Sequence, residues 1–347
     1  MSTDSQFLRD INAQPDAMKD LINFYRTSAG KSLLEQWVLK AKAAKRVVFC
    51  GMGTSEFAAE LILTDLARQG VDASTADAGE LLHYPKPING LLTLVSQSGE
   101  SVETRKIMER CEPGQDVVAI TNNDKSTIAC TASLNLPMFA GIEATVSAKT
   151  YVNTMGVLFL MAQAFGGSAA VDKALDRLTK LADKMLQFDK EEIDRAATLV
   201  SNAGAIHFVG RGPTMAAVKQ ATLTMQEGAR LPAAGFTGAA FRHGPFETVG
   251  PNHHAVFFIP GGVTCQLLTN VACDVLEKGS RAIVITDQDL DLPKMATCCV
   301  LKVPEWGEDL FAISAATIQE LLLHEIARQR GIQTGIFRYG TKVTLVE

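Results

Sequence analysis

One local pattern occurs twice in this chain and limits what it can fold into. Val47-Val48-Phe49-Cys50 runs into Gly51-Met52-Gly53-Thr54-Ser55, and Ile206-His207-Phe208-Val209 runs into Gly210-Arg211-Gly212-Pro213-Thr214. Each is a short, largely apolar run that meets a glycine-rich turn and then a helical periodicity. Runs without alternation suit strands buried on both faces, as in a parallel sheet covered by helices. Further strand-like runs fall at 91–95, 117–121, 255–259 and 282–286, with helical stretches between them. The fold class expected is therefore α/β, with two tandem parallel sheets flanked by helices in three layers, flavodoxin-like. The 347 residues leave room for both cores. The expected division is a helical N-terminal segment at 1–45, a first α/β domain at 46–165, a helical linker at 166–200 and a second α/β domain at 201–347. In the N-terminal segment Leu8, Ile11, Met18, Leu21, Ile22 and Tyr25 recur at helical spacing around Pro15.

The two copies differ where chemistry would sit. After the apolar run 91–95 comes Ser96-Gln97-Ser98-Gly99-Glu100-Ser101, followed by a helix expected to open at Val102-Glu103-Thr104. A strand ending in small hydroxyl and amide side chains, with free backbone N–H groups and a helix N-terminus beyond, makes a cradle for an oxyanion or phosphate. The matching place in the second copy holds Pro260-Gly261-Gly262 and no serine, so the two halves are expected to be unequal sites. Neither glycine pair completes a dinucleotide fingerprint, because Glu56 and Met215 take the third glycine's place.

Composition removes several function classes. The net charge of −5 and the lack of a basic block give no support for nucleic-acid binding. Seven cysteines without a C-x-x-C pair read as reduced core residues, which points to a cytoplasmic protein. Residues 1–20 have no signal-peptide core, and no later run is read as long enough to span a membrane. His253 and His254 are adjacent on an extended segment, where neighbouring side chains diverge, and His83 and His324 have no partner pattern. No metal site is expected, and His207 reads as structural.

Taken together, Gly53-Thr54-Ser55, Ser96 to Ser101 and Ile120-Thr121-Asn122 resemble the sugar isomerase (SIS) domain. Gly210-Arg211-Gly212, Met225-Gln226-Glu227-Gly228, Phe241-Arg242-His243-Gly244-Pro245 and the tail Lys342 to Glu347 resemble the isomerase half of glutamine–fructose-6-phosphate aminotransferases. They are also similar to stand-alone 6-phospho-fructosamine and 6-phospho-glucosamine deglycases. The resemblance covers residues 45–347 as two SIS domains. It implies a phosphate cradle of Ser55, Ser96, Gln97, Ser98 and Ser101, with Thr54 also binding substrate and Ser147 and Lys149 near it. It further implies that Glu227 moves a proton between C1 and C2 of an open-chain sugar. His243 would serve ring opening or proton transfer at oxygen from a partner subunit, and Lys342 would close over the sugar. The implied assembly is a homodimer with shared sites, and the implied chemistry needs no cofactor.

Two departures direct the choice of activity. No glutaminase segment precedes the first strand in this sequence, and Thr224 and Gln226 stand where the aminotransferases carry lysines before the catalytic glutamate. The expected function is a phosphosugar-amine deglycase. It would split a 6-phosphorylated amino-sugar into hexose 6-phosphate and an amine through a 1,2-proton shift and imine hydrolysis. A glucosamine-6-phosphate deaminase or an aldose–ketose isomerase would use the same groups. A sugar-phosphate sensor would need the cradle without Glu227, His243 and Lys342. Apolar Val343, Leu345 and Val346 around Lys342 suggest that the tail docks.

Overall fold

In the structure, a computed structural model, residues 5–112, 114–339 and 342 are described. Two compact units emerge: Ala13–Asp183 with the terminal segment from Tyr339, and Met1–Asn12 with Lys184–Arg338. The expected sequential division thus differs at both ends. Among the described residues, 5–12 go with the second sheet, and Tyr339 and Lys342 with the first. The helices expected as a linker are shared out, Ser168–Lys184 almost wholly in the first unit and Lys190–Val200 in the second.

The first unit holds strands β1 (Arg46–Gly51), β2 (Asp72–Asp77), β3 (Leu91–Ser96), β4 (Val117–Thr121) and β5 (Leu134–Pro137). They are parallel and ordered β2-β1-β3-β4-β5. From β1 the chain crosses to β2 on one side, whereas from β3 it crosses to β4 on the other. The gap between the carboxyl ends of β1 and β3 is therefore the topological switch point, where open α/β sheets bind ligands. β3 and β4 are buried along their whole length. Helix Lys149–Gln163 is apolar on nearly all sides and correspondingly sunk in the core. Trp37 packs here fully buried, its indole Nε1 donating to the carbonyl of Met161 at 3.1 Å. Burying a side chain of this kind contributes roughly 1.5–3 kcal/mol.

The second unit holds β6 (Ile206–Gly210), β7 (Ala233–Thr237), β8 (His254–Ile259), β9 (Arg281–Thr286) and β10 (Cys298–Lys302), ordered β10-β9-β8-β6-β7. Read from β7, this is the first sheet's order again. Helix Glu308–Gln329 is, by length and composition, apolar enough to cross a membrane, contrary to the reading of the sequence. With 83% of its most apolar stretch buried inside the protein, it occupies the place of a core helix.

Candidate active site

A cavity of about 140 Å³ opens at the switch point of the first sheet. Met52, Thr54 and Ser55 line it from the turn after β1, and Ser96, Gln97, Ser98 and Ser101 line it from the turn after β3. Ser147 and Lys342 complete the wall. Thr54, Ser55, Ser96, Gln97, Ser98, Ser101 and Ser147, with Lys342 of the three expected catalytic residues, thus meet in one place, whereas Lys149 does not line the cavity.

The serine turn is built by its own hydroxyls. Ser96 Oγ accepts the backbone N–H of Gly99 at 3.1 Å, and Ser98 Oγ accepts that of Glu100 at 3.1 Å. Two N–H groups that the sequence reading left free for an anion are therefore committed. In exchange, each hydroxyl that accepts keeps its own proton to donate. Gly99 has φ +64, and a Cβ there would overlap the Ser126 hydroxyl, so the turn requires glycine. Glu100 faces away, accepting from Thr127 N at 2.7 Å and Thr127 Oγ1 at 3.0 Å. Ser101 precedes helix Val102–Glu109 without capping it through its side chain.

Two cavity groups escaped the sequence reading. Glu103 and Thr104 are buried in the first turn of that helix and line the cavity, and Glu103 Oε2 has no hydrogen-bond partner among the described residues. Cys50, near the end of β1, does not line the cavity; it packs in the apolar core with Leu92 and Leu94, and its thiol is pushed up to about 12 by burial and by Asp77 and Glu56. It stays protonated and is no nucleophile.

Lys342 reaches the wall through a partner that was also missed. Its Nζ lies 2.6 Å from Glu143 Oε2 and 3.2 Å from Ser147 Oγ. Ser147 Oγ in turn accepts from Thr54 Oγ1 at 3.3 Å. Glu143 is fully buried and substitutes for the missing cap of helix Lys149–Gln163, accepting from Ala148 N, Thr150 N and Thr150 Oγ1. The loop carrying it is pinned by Asn122, whose Oδ1 accepts from Ala140 N and whose Nδ2 donates to the Gly141 carbonyl. A carboxylate shortly before a helix start was the available signal. Lys149 is partly buried in the first turn of that helix. Residues 343–347, expected to dock around Lys342, lie outside the described residues.

Glu227 and His243 belong to the second unit. Glu227 is partly buried near the end of helix Met215–Ala229. His243 is exposed and ends the short helix Gly238–Arg242, just before Gly244 at φ +138. Where the first unit has its serine turn, Gly261 N donates to Asp287 Oδ1 at 2.8 Å, and the Glu308 carboxyl lies against Gly262. Carboxylates at that switch point oppose an anion.

His207 is paired with His253, His253 Nε2 standing 3.0 Å from His207 Nδ1. The other ring nitrogen, His253 Nδ1, lies 3.1 Å from Ser280 Oγ, which donates to the Gly250 carbonyl. Among the described residues no group of three or more His, Cys, Asp or Glu is arranged to hold a metal ion.

The family model described as "SIS domain" matches residues 41–164 and again 199–323. The chain belongs to the SIS domain family. Over 93% of its length it is 27% identical to the glutamine–fructose-6-phosphate aminotransferase of Methanocaldococcus jannaschii. This SIS chain spans 29 to 58% of the length of such relatives. The C-terminal domain of glucosamine-fructose-6-phosphate aminotransferase from Francisella tularensis has the same fold, with a TM-score of 0.83 and 20% identity over 97% of this chain and 100% of that one. A glucosamine-6-phosphate deaminase from Thermotoga maritima shares it too, with a TM-score of 0.70 and 19% identity over 99% of this SIS chain and all of the other.

Proposed function

We propose that this SIS protein is a phosphosugar-amine deglycase, an enzyme that releases a hexose 6-phosphate from a 6-phosphorylated amino-sugar. The observation that carries the reading is the cavity at the first switch point. Its hydroxyl donors converge from two turns, and a lysine sits on its wall. Such a site offers hydrogen bonds and one positive charge to a phosphate and holds the sugar's C1 and C2 in a fixed place. Relatives named as aminotransferases of fructose 6-phosphate support a phosphosugar as the ligand.

In the proposed reaction Glu227 takes a proton from C1 of an open-chain amino-ketose and returns it to C2 through an enaminol. The product is an imine at C1. Water adds to it, the amine leaves with the proton, and glucose 6-phosphate remains. An amino-aldose runs the shift from C2 to C1 and yields fructose 6-phosphate. A carboxylate suits this role because one group can serve both carbons. His243 is assigned to ring opening, contributed to the cavity of a second copy in a homodimer. The absence of lysines at Thr224 and Gln226 favours cleavage over amination.

The test is release of hexose 6-phosphate from fructosamine- and glucosamine-type 6-phosphates of lysine, aspartate and glutamine, with glucosamine 6-phosphate alongside. Release from an amino-acid adduct, abolished in Glu227→Gln, is the expected result. Turnover of glucosamine 6-phosphate alone would make the protein a deaminase. Binding without turnover would make it a sensor.

A further inference from the structure

The ion pair between Lys342 and Glu143 carries an inference that rests on the phosphosugar reading of the cavity and extends it. An ammonium group has three N–H donors. Among the described residues Lys342 spends one on Glu143 Oε2 and one on Ser147 Oγ. Both acceptors are themselves held. Glu143 is locked by two backbone N–H groups and the Thr150 hydroxyl at a helix N-terminus, and Ser147 is tied to Thr54 in the turn after β1. Among the described residues the lysine head is thus held through two of its donors on the wall of the cavity it lines.

We propose that Glu143 is the positioning residue of this site. It touches no ligand, and it fixes Lys342 as an oriented cation so that the remaining N–H meets an anionic oxygen of the bound sugar phosphate. Three features support this assignment over a purely structural one. The carboxylate is fully buried, so without Lys342 it would stand as an uncompensated buried charge. Its partner comes from a segment 199 residues away in sequence, more than a helix cap requires. And helix Lys149–Gln163 already receives its cap through Oε1 alone, from Ala148 N and Thr150 N, which leaves Oε2 for the lysine and one hydroxyl.

The deciding experiment is a double-mutant cycle on glucose 6-phosphate affinity by calorimetry, with wild type, Glu143→Gln, Lys342→Met and the double variant. Glutamine keeps the shape and the Oε1 acceptor, so the fold is expected to survive, with thermal melting as the control. Each single change should weaken binding by about tenfold, and the double variant should be no weaker than the weaker single one. Losses that multiply to about a hundredfold would show Glu143 acting independently of Lys342 and would overturn the proposal. A second arm does not need the ligand: acetylation of Lys342 by acetic anhydride, followed by mass spectrometry. Acetylation should be several-fold faster in Glu143→Gln than in wild type, and equal rates would also overturn the proposal. Should wild type fail to bind glucose 6-phosphate while the acetylation rates differ as expected, the phosphosugar reading falls and the positioning of Lys342 stands.

Discussion

The serines of the turn after β3 look alike in sequence and do different work. Ser96 is buried and its oxygen holds Gly99 N, whereas the Ser101 side chain caps nothing. Ser96→Ala should therefore lower stability by about 1–2 kcal/mol, the cost of stranding a buried donor, as read by denaturant melting. Ser101→Ala should leave the melt unchanged and weaken hexose 6-phosphate binding several-fold. Equal stability losses in both would contradict this division of labour. Gly99→Ala should be worse than either, because it combines a left-handed backbone with overlap on Ser126. The residue types of the cradle were legible because small hydroxyls after an apolar run have few other uses. Glu143 was not, because its role depends on a lysine 199 residues away, which local spacing cannot reveal.

At the level of elements, legibility followed position in the sheet. All six inner strands, β1, β3, β4, β6, β8 and β9, were readable as apolar runs. The four strands that were missed, β2, β5, β7 and β10, are the sheet edges. An edge strand has one neighbour and stays partly exposed, so its sequence need not be apolar, as Asp72–Asp77 illustrates. The His207–His253 contact joins inner strand β6 to the residue before inner strand β8 and gives that sheet a pH dependence. Burial, with His207 and His254 nearby, pushes His253 down to about 4, and burial lowers His207 as well. An unfolded histidine titrates near about 6.5, so on acidification the unfolded chain binds protons first. The stabilisation is complete above about pH 6.5 and is lost as pH falls through 4. The melting temperature of wild type should therefore drop between pH 6.5 and 4.5 more steeply than that of His253→Gln, and parallel slopes would refute the assignment.

On the scale of the whole molecule, repetition of topology does not mean repetition of chemistry. Both sheets share one strand order, yet the first switch point is ringed by serines and a lysine, with Glu103 also on the wall, whereas the second has Asp287 and Glu308 and no serine turn. Calorimetry with a hexose 6-phosphate should accordingly give one site per chain, and two equivalent sites would reject this reading. The order of domains was legible from the repeated motif. The exchange of terminal segments was not, because nothing in a terminal sequence says which core receives it.

That exchange bears on how the protein is made. Lys342 is synthesised 199 residues after the carboxylate that receives it. On the ribosome the first sheet can be complete, with its serine turn formed, while one wall of its cavity is still unwritten. Competence for ligand would then wait on a residue made 199 positions after its carboxylate partner. A message cut short before that codon would yield a protein that lacks this cation and leaves the Glu143 carboxylate buried without its ion-pair partner.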